Sequence, residues 1–228
     1  KNFPAFVFNH GYTAEQVVGE GRVFRFIKVK EGQALPFPAD SVPGLDLEPV
    51  SIRVQSLSIS QAAKQLGRED ENWVIQVVVN AKVVESHFAL VSRREVVQVD
   101  FLQSGVKLRN SEIDALFLLT ERDSSGQETF SVVTCEMKGP NEQVTLSQLV
   151  RQPVAYLGLK DAQHTVVVPM YIQALGDGSV RVIEYEAVDK ESTAQGEPTL
   201  TASTASIVEV VPHVKGLNRP SRKPRAGK

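Results

Sequence analysis

Five segments rich in β-branched and aromatic residues, each bounded by turn-forming residues, constrain the fold of this chain most strongly. They cover residues 95–106, 112–120, 128–138, 164–175 and 180–188. Between the second and third segments, the sequence RDSSGQ (122–127) predicts a hairpin connection. Between the fourth and fifth, GDGS (176–179) predicts an abrupt turn. The chain is therefore expected to build a β-sheet from these five strands.

Two helical patterns accompany the strands. The first begins near WVIQVVV (73–79), an apolar run that fits either a buried strand or the lead-in to a helix. Asn80 is expected to cap a helix that follows. In that helix the apolar residues recur at helical spacing, namely Val83, Val84, His87, Leu90 and Val91.

The second helical pattern follows the third strand, and its apolar face comprises Leu146, Leu149, Val150, Val154 and Leu157. Thr145 and Gln148 have the spacing of a capping box, which predicts the helix start. Pro153 lacks an N–H group, so it is expected to kink or divide this helix.

The order helix, three strands, helix, two strands predicts an α/β fold with a mixed five-stranded sheet flanked by helices. Residues 73–190 form this core in our interpretation. Residues 1–72 are expected to be an irregular N-terminal region of short strands and loops, because prolines and glycines interrupt them repeatedly. Residues 191–228 are expected to be a C-terminal extension with a basic tail.

Composition excludes several classes of protein. Hydrophobic residues make up 42% and charged residues 23% of the chain, as in ordinary globular proteins. No stretch approaches the roughly 18 apolar residues of a membrane span, so no membrane partner is expected. Cys135 is the single cysteine, which excludes an internal disulfide and a thiolate zinc cluster and favours a cytoplasmic location.

Charge gives a divided indication about nucleic acid. The net charge of −2 provides no overall positive field, which favours partners other than DNA. Residues 215–228 nevertheless contain six basic residues and no acidic residue. This tail fits either a solvated terminus or an arm that contacts phosphates.

Three residues carry the chemistry that the sequence suggests. Glu136 and Lys138 are two positions apart on one strand, so their side chains share a face. If the hairpin pairs its strands antiparallel, Asp114 comes to lie beside Glu136. Two carboxylates then converge on a site for Mg²⁺, with an amine next to them. Lys138 can stabilise negative charge on a phosphate, or help to orient or deprotonate an attacking water.

This arrangement, with Asp114 on a strand, Glu136-Met137-Lys138 ending the next, and a glutamine-bearing helix after it, resembles the PD-(D/E)XK nuclease superfamily, most of all its type II restriction endonucleases. The resemblance covers residues 80–188. It implies a restriction-endonuclease-like fold in which Asp114 and Glu136 ligate Mg²⁺ and Lys138 is catalytic. Ile113 stands where many members have proline.

The same resemblance suggests further site residues. Glu85 matches an acid on the helix before the first strand, and Gln148 or Gln152 matches a polar residue on the later helix. Gln148 is also explained by its capping box alone. Glu112 shares the face of Asp114 and is a further candidate metal ligand or a solvated acid. Candidate DNA contacts are Arg93, Arg94, Arg151 and Gln152, and the last two alternatively face water.

The resulting hypothesis is a magnesium-dependent endodeoxyribonuclease that cuts both strands of DNA at a short site, as a homodimer. One such centre hydrolyses one strand, and two-fold symmetry supplies the second. Residues 1–72 would then serve DNA recognition or dimerisation. Two alternatives stay open: a repair or junction nuclease with the same core, and a non-catalytic binding or scaffold protein without metal affinity.

Overall fold

The computed structural model describes residues 4–17, 23–29, 42–66, 71–109, 111–140, 142, 144–194 and 196–217. The chain divides into two compact units, Lys1–Ser41 and Val42–Lys228. The first unit contains α1 (Ala5–Asn9) and the antiparallel strands β1 (Tyr12–Val17) and β2 (Val23–Lys28). Most of the basic tail lies outside the described residues, which end at Leu217.

The second unit contains a large sheet and the helices that cover it. The helices are α2 (Gln61–Leu66), α3 (Glu71–Asn80), α4 (Val83–Leu90), α5 (Leu146–Leu157) and α6 (Lys190–Ala194). The strands are β3 (Val50–Gln55), β4 (Val96–Lys107), β5 (Glu112–Arg122), β6 (Glu128–Lys138), β7 (Val166–Ala174), β8 (Ser179–Tyr185), β9 (Val188–Asp189) and β10 (Ala202–Val211). Among the described residues, no helix has the length and apolar character needed to cross a membrane.

The sheet is mixed and has eight strands. Its order is β3-β10-β8-β7-β6-β5-β4, and β9 pairs with β7. The pairs β6/β7 and β3/β10 are parallel and the other pairs are antiparallel. The predicted α/β class with a mixed sheet flanked by helices is confirmed. The predicted number of five strands is wrong, because β3, β9 and β10 join the five expected strands.

The hairpin between β5 and β6 sets the register on which the candidate site depends. In its turn, the side chain of Asp123 accepts hydrogen bonds from the backbone N–H groups of Ser125 (2.8 Å) and Gln127 (2.9 Å). Gly126 has a φ of 85°, a left-handed conformation that glycine adopts without strain. The ladder runs from Arg122↔Glu128 to Ala115↔Cys135, so the predicted antiparallel hairpin is confirmed.

The two faces of the sheet carry different helices. On one face, α3 and α4 bury residues such as Val77, Val84 and Phe88 in a core that includes Cys135 and Met137 of β6. On the other face, α5 buries Leu149, Val150 and Leu157 against Val132 and Tyr171 of the sheet. Because side chains alternate along a strand, Glu136 and Lys138 project from β6 on the α5 face.

The helices differ in detail from the sequence prediction. The 73–79 run lies within α3, and Asn80 ends α3 instead of capping α4. The prediction that Asn80 caps a helix is therefore wrong. Lys82 is the N-cap of α4 and has a left-handed φ of 58°, so a break in backbone conformation separates the two helices. In α4, Val83, Val84 and His87 are buried as predicted, whereas Leu90 is 65% exposed.

The predicted capping box of α5 is confirmed, because the Thr145 hydroxyl accepts from the backbone of Gln148 and the Gln148 side chain accepts from the backbone of Thr145. Pro153 lies inside one continuous helix and does not divide it. Pro153 is itself buried, and we attribute the continuity of α5 to the packing of this face on the sheet, which offsets the missing hydrogen bond.

A buried polar network fastens α4 to the sheet. His87 is fully buried, with its Nδ1 2.8 Å from Ser206 Oγ and its Nε2 3.3 Å from Glu184 Oε2. Arg94 donates from Nε to Glu184 Oε1 (2.9 Å) and from Nη1 to Glu121 Oε1 (3.1 Å). The Arg94 guanidinium is therefore engaged by two carboxylates, which argues against the DNA contact expected for it.

Replacing Arg94 should destabilise the fold much more than replacing its neighbour. Arg94→Ala removes the guanidinium partner of the fully buried Glu184 carboxylate, and breaking a buried ion pair costs about 3 kcal/mol of unfolding free energy. Arg93→Ala, at an exposed position, should change the unfolding free energy by less than about 0.5 kcal/mol. Urea unfolding of both variants measures the difference, and equal values would contradict the anchoring role of the network.

Candidate metal centre

Asp114 is held at the end of the β5/β6 ladder by the backbone of β6. Its Oδ2 accepts a hydrogen bond of 2.6 Å from the backbone N–H of Met137. The last pair of the β5/β6 ladder is Ala115↔Cys135. Continuing this register by one residue places Asp114 opposite Glu136. Opposed residues of an antiparallel pair project on the same face. The predicted neighbourhood of Asp114 and Glu136 is thus confirmed.

Glu136 is a buried carboxylate, 5% exposed, that receives donors from three side chains. Gln152 Nε2 donates to its Oε2 at 2.5 Å, and Gln148 Nε2 donates to its Oε1 at 3.1 Å. Lys138 Nζ lies 2.8 Å from the same Oε1. The carboxylate is therefore fixed in position by α5 on one side and by its own strand on the other.

Lys138 joins the strand end to α3. Besides Glu136, its ammonium group donates to the backbone carbonyl of Met137 at 3.1 Å and forms a very short ion pair with the carboxylate of Glu71. Lys138 is 9% exposed, so its charge is compensated mainly by these two carboxylates.

Glu71 is the third acidic residue of the site and is the first residue of α3. Carboxylate oxygens of Glu71, Asp114 and Glu136 all lie within 4.8 Å of one another. One cation can contact an oxygen from each, because such a spacing matches ligands around a common ion at 2.0–2.6 Å. We call Glu71, Asp114, Glu136 and Lys138 the acidic centre.

Glu71 was missed from the sequence, where Glu85 was taken as the acid on the preceding helix. Asp70 directly before Glu71 is a residue type favoured at helix N-caps, and an acid in a first helical turn is common. These two signals place a helix start at Glu71. The apolar run at 73–79 made this helix start difficult to predict, because a nearly continuous apolar run has no helical periodicity.

The other expected site residues are divided by the structure. Gln148 and Gln152 both contact Glu136, and Gln152 is 1% exposed, which places it inside the site instead of on a DNA-facing surface. Glu85 lies outside the acidic centre and pairs with Lys82 at 2.9 Å. Glu112 is also outside it, with an exposed side chain. Arg93 is exposed and Arg151 is half-buried on α5.

Burial disfavours ionisation of the carboxyl groups of Asp114 and Glu136. Desolvation, reinforced by repulsion from Glu136, raises the pKa of Asp114 to about 7, although the Met137 N–H and Lys138 act in the opposite direction. Desolvation also raises the pKa of Glu136, against the opposing effects of Lys138 and Gln152. Desolvation is thus the main cause of both shifts, and a cation bound between these carboxylates would favour their ionised forms.

Unlike the two carboxyl groups, Lys138 is stabilised in its charged form. Burial lowers the pKa of its ammonium group, but attraction to Glu136 and hydrogen bonds to Glu136 and Glu71 together raise it above the ordinary value for lysine. The group stays protonated at neutral pH. A protonated ammonium group can stabilise negative charge but cannot abstract a proton.

The raised pKa of Asp114 predicts how the stability of the metal-free protein depends on pH. Between about pH 4, the unfolded value, and pH 7, the folded value, the native state binds more protons than the unfolded state. Stability should therefore fall as pH rises through this window, by up to roughly 4 kcal/mol at 1.36 kcal/mol per pKa unit.

Asp114→Asn removes this titration, so the variant should match the wild type near pH 4 and exceed it in stability near pH 8. Urea unfolding in a chelating buffer at several pH values measures the effect, with Glu112→Gln as the exposed control. Parallel stability curves for wild type and Asp114→Asn would contradict the assigned perturbation.

Comparisons of the chain with protein-family models, with curated proteins and with solved structures found no match.

Proposed function

We propose that this protein is a divalent-metal-dependent nuclease that hydrolyses phosphodiester bonds of DNA at the acidic centre. The observation that carries the proposal is the convergence of three carboxylates, from Glu71, Asp114 and Glu136, beside the ammonium group of Lys138. Those side chains come from one helix start and two strands, so the fold positions them before any ligand arrives.

The residues fit a hard cation such as Mg²⁺. All three candidate ligands offer carboxylate oxygens, which Mg²⁺ prefers, and neither histidine nor cysteine belongs to the cluster among the described residues. When bound, Mg²⁺ supplies charge neutralisation at a phosphate and lowers the pKa of a coordinated water. Asp114 and Glu136, whose ionisation burial disfavours, would gain most from such a cation.

Lys138 would act on the phosphate itself. In phosphodiester hydrolysis a bond forms between phosphorus and the water oxygen while one ester P–O bond breaks, and negative charge builds on the phosphate oxygens. A protonated amine next to the acidic centre stabilises that charge. The raised pKa of Lys138 keeps it protonated for this task.

Gln148 and Gln152 would position Glu136. Gln152 also donates to the backbone carbonyl of Glu112 at 3.2 Å, and Gln148 closes the capping box of α5. Both amides are thereby oriented by contacts of their own. They hold the Glu136 carboxylate in the direction of Asp114, and their role is orientation instead of chemistry.

The choice of DNA as substrate depends on the resemblance to PD-(D/E)XK nucleases. Five consecutive strands, β4 to β8, lie side by side in chain order with α5 linking β6 to β7. This arrangement supports a restriction-endonuclease-like core. Within that class we propose cleavage of both strands of double-stranded DNA by a homodimer, and a repair or junction nuclease is the alternative.

Cleavage of a supercoiled plasmid in Mg²⁺ or Mn²⁺ tests the proposal. Four variants of the acidic centre, Glu71→Gln, Asp114→Asn, Glu136→Gln and Lys138→Met, should each lose at least about 100-fold in rate, because each removes a charge that acts on the transition state. Glu112→Gln changes an exposed acid beside the site and should cleave like the wild type.

Calorimetric titration with Mn²⁺ separates binding from catalysis. Asp114→Asn should lose most of the binding heat, whereas Lys138→Met should keep it while remaining inactive. A wild type that neither binds Mn²⁺ nor cuts DNA would favour the scaffold alternative and overturn the nuclease. With an active wild type, discrete fragments support the restriction type, and nicks or a smear support a repair or junction nuclease.

A further inference from the structure

A pocket outside the acidic centre lies between α2 and the segment that follows β10. Its volume is about 400 Å³. The residues that line it are Gln61, Lys64, Gln65, Pro212, His213 and Lys215. None of these six is acidic, and five of them carry side-chain groups that can donate hydrogen bonds. This donor-rich pocket is separate from the acidic centre, with which it shares no residue.

Lys64 is the distinctive residue of this pocket. It is 9% exposed, and within the described part of the chain its ammonium group has neither a carboxylate nor a carbonyl partner. The Nζ atom itself is accessible to solvent, since it is not one of the buried side-chain atoms without a hydrogen-bond partner in the described part of the chain. The aliphatic stem is therefore buried while the charge reaches the pocket, as is usual for a snorkelling lysine.

Because the Lys64 ammonium group opens onto this pocket and has no carboxylate partner among the described residues, a negatively charged ligand can pair with it there. Lys215 adds a second positive charge to the same pocket. Asp177 is close enough to His213 to interact with it electrostatically, but it does not line the pocket. A tetrahedral oxyanion such as a phosphate group suits two amines and two amides converging on one cavity.

The first turn of α3 connects this pocket to the acidic centre. Trp73 Nε1 donates a 2.7 Å hydrogen bond to the backbone carbonyl of Lys215. Glu71 lies two residues before Trp73, a separation of about 3 Å along the helix axis. The first turn of α3 thus contacts the lining of the pocket through Trp73 and supplies a carboxylate of the acidic centre through Glu71.

We propose that the Lys64 pocket binds a backbone phosphate of the nucleic acid that the acidic centre cleaves. The DNA identity of the ligand rests on the proposed function, whereas the capacity to bind a phosphate rests on the pocket alone. Lys64 acts as a positioning residue, since it contacts the substrate backbone away from the reacting atoms.

Binding of a fluorescein-labelled DNA duplex in EDTA, measured by anisotropy across salt concentrations, tests the proposal without cleavage. Loss of one phosphate contact should reduce the slope of log K against log salt by about 0.9. We expect this reduction for Lys64→Gln, the wild-type slope for Lys64→Arg, and the wild-type slope for Lys190→Gln, which removes an exposed lysine on α6. Thermal unfolding of each variant checks that the fold is intact.

The outcomes separate this proposal from the nuclease proposal. A reduced slope in Lys64→Gln supports the pocket even if the wild type cuts no DNA in Mg²⁺ or Mn²⁺. An unchanged slope in a folded Lys64→Gln, or absence of DNA binding by the wild type, overturns it even if the acidic centre is active. Titration with inorganic phosphate, followed by NMR of the glutamine side-chain amides, completes the test: perturbation together with an unchanged DNA slope would assign the pocket to free phosphate and overturn the DNA proposal.

Discussion

The structure around the acidic centre depends on the hydrogen bonds and the ion pair that stabilise the buried carboxylate of Glu136. At 5% exposure this carboxylate cannot remain charged without donors. Each of its three donors is held in place by a different contact. Gln148 is fixed by the cap of α5, Gln152 by the buried face of the same helix, and Lys138 by Glu71 at the start of α3. Satisfying one charge thus ties both helix layers to the end of β6.

A second buried carboxylate shows that burial alone does not explain the acidic centre. Glu184 is fully buried, yet its pKa is lowered, because hydrogen bonds and charge from His87, Thr204 and Ser92 outweigh desolvation. At Asp114 and Glu136 desolvation prevails and the pKa is raised. The donors around Glu184 outweigh its desolvation, as expected of a structural anchor, whereas the donors of the acidic centre do not offset the desolvation of Asp114 and Glu136. This difference in compensation is the physical reason why the cluster of three carboxylates could bind a cation, whereas the Glu184 network needs none.

Much of the site was predictable because it depends on local rules. Alternation along β6 places Glu136 and Lys138 on one face, and a hairpin of known length brings Asp114 to them. Glu71 was not predictable in the same way, since its contact with Lys138 spans 67 residues and depends on how α3 packs. The apolar residues that follow Glu71 are buried on almost every side of α3. Their pattern therefore predicted neither a helix nor the residue at which it begins.

The sheet was predictable only where its strands alternate clearly. β10 has the sequence ASTASIVEVV, and its N-terminal half is small and polar, so it lacks the apolar alternation of the five predicted strands. In the structure Thr204 and Ser206 project into the His87 network, so their polarity matches a buried hydrogen-bonding environment. A tertiary partner, invisible in the local sequence, decides the placement of this strand.

The short connection between β6 and α5 explains why so many polar groups meet at one point. β6 ends at Lys138 and α5 begins at Leu146, so the chain has seven residues in which to turn from the sheet to the helix. β6 and β7 are parallel neighbours, and α5 is the crossover between them. In such units the carboxyl end of the strand and the start of the following helix are forced together. Glu136, Lys138, Gln148 and Gln152 therefore share a site as a direct consequence of chain connectivity, and Asp114 and Glu71 complete it from the neighbouring strand and from the opposite helix layer.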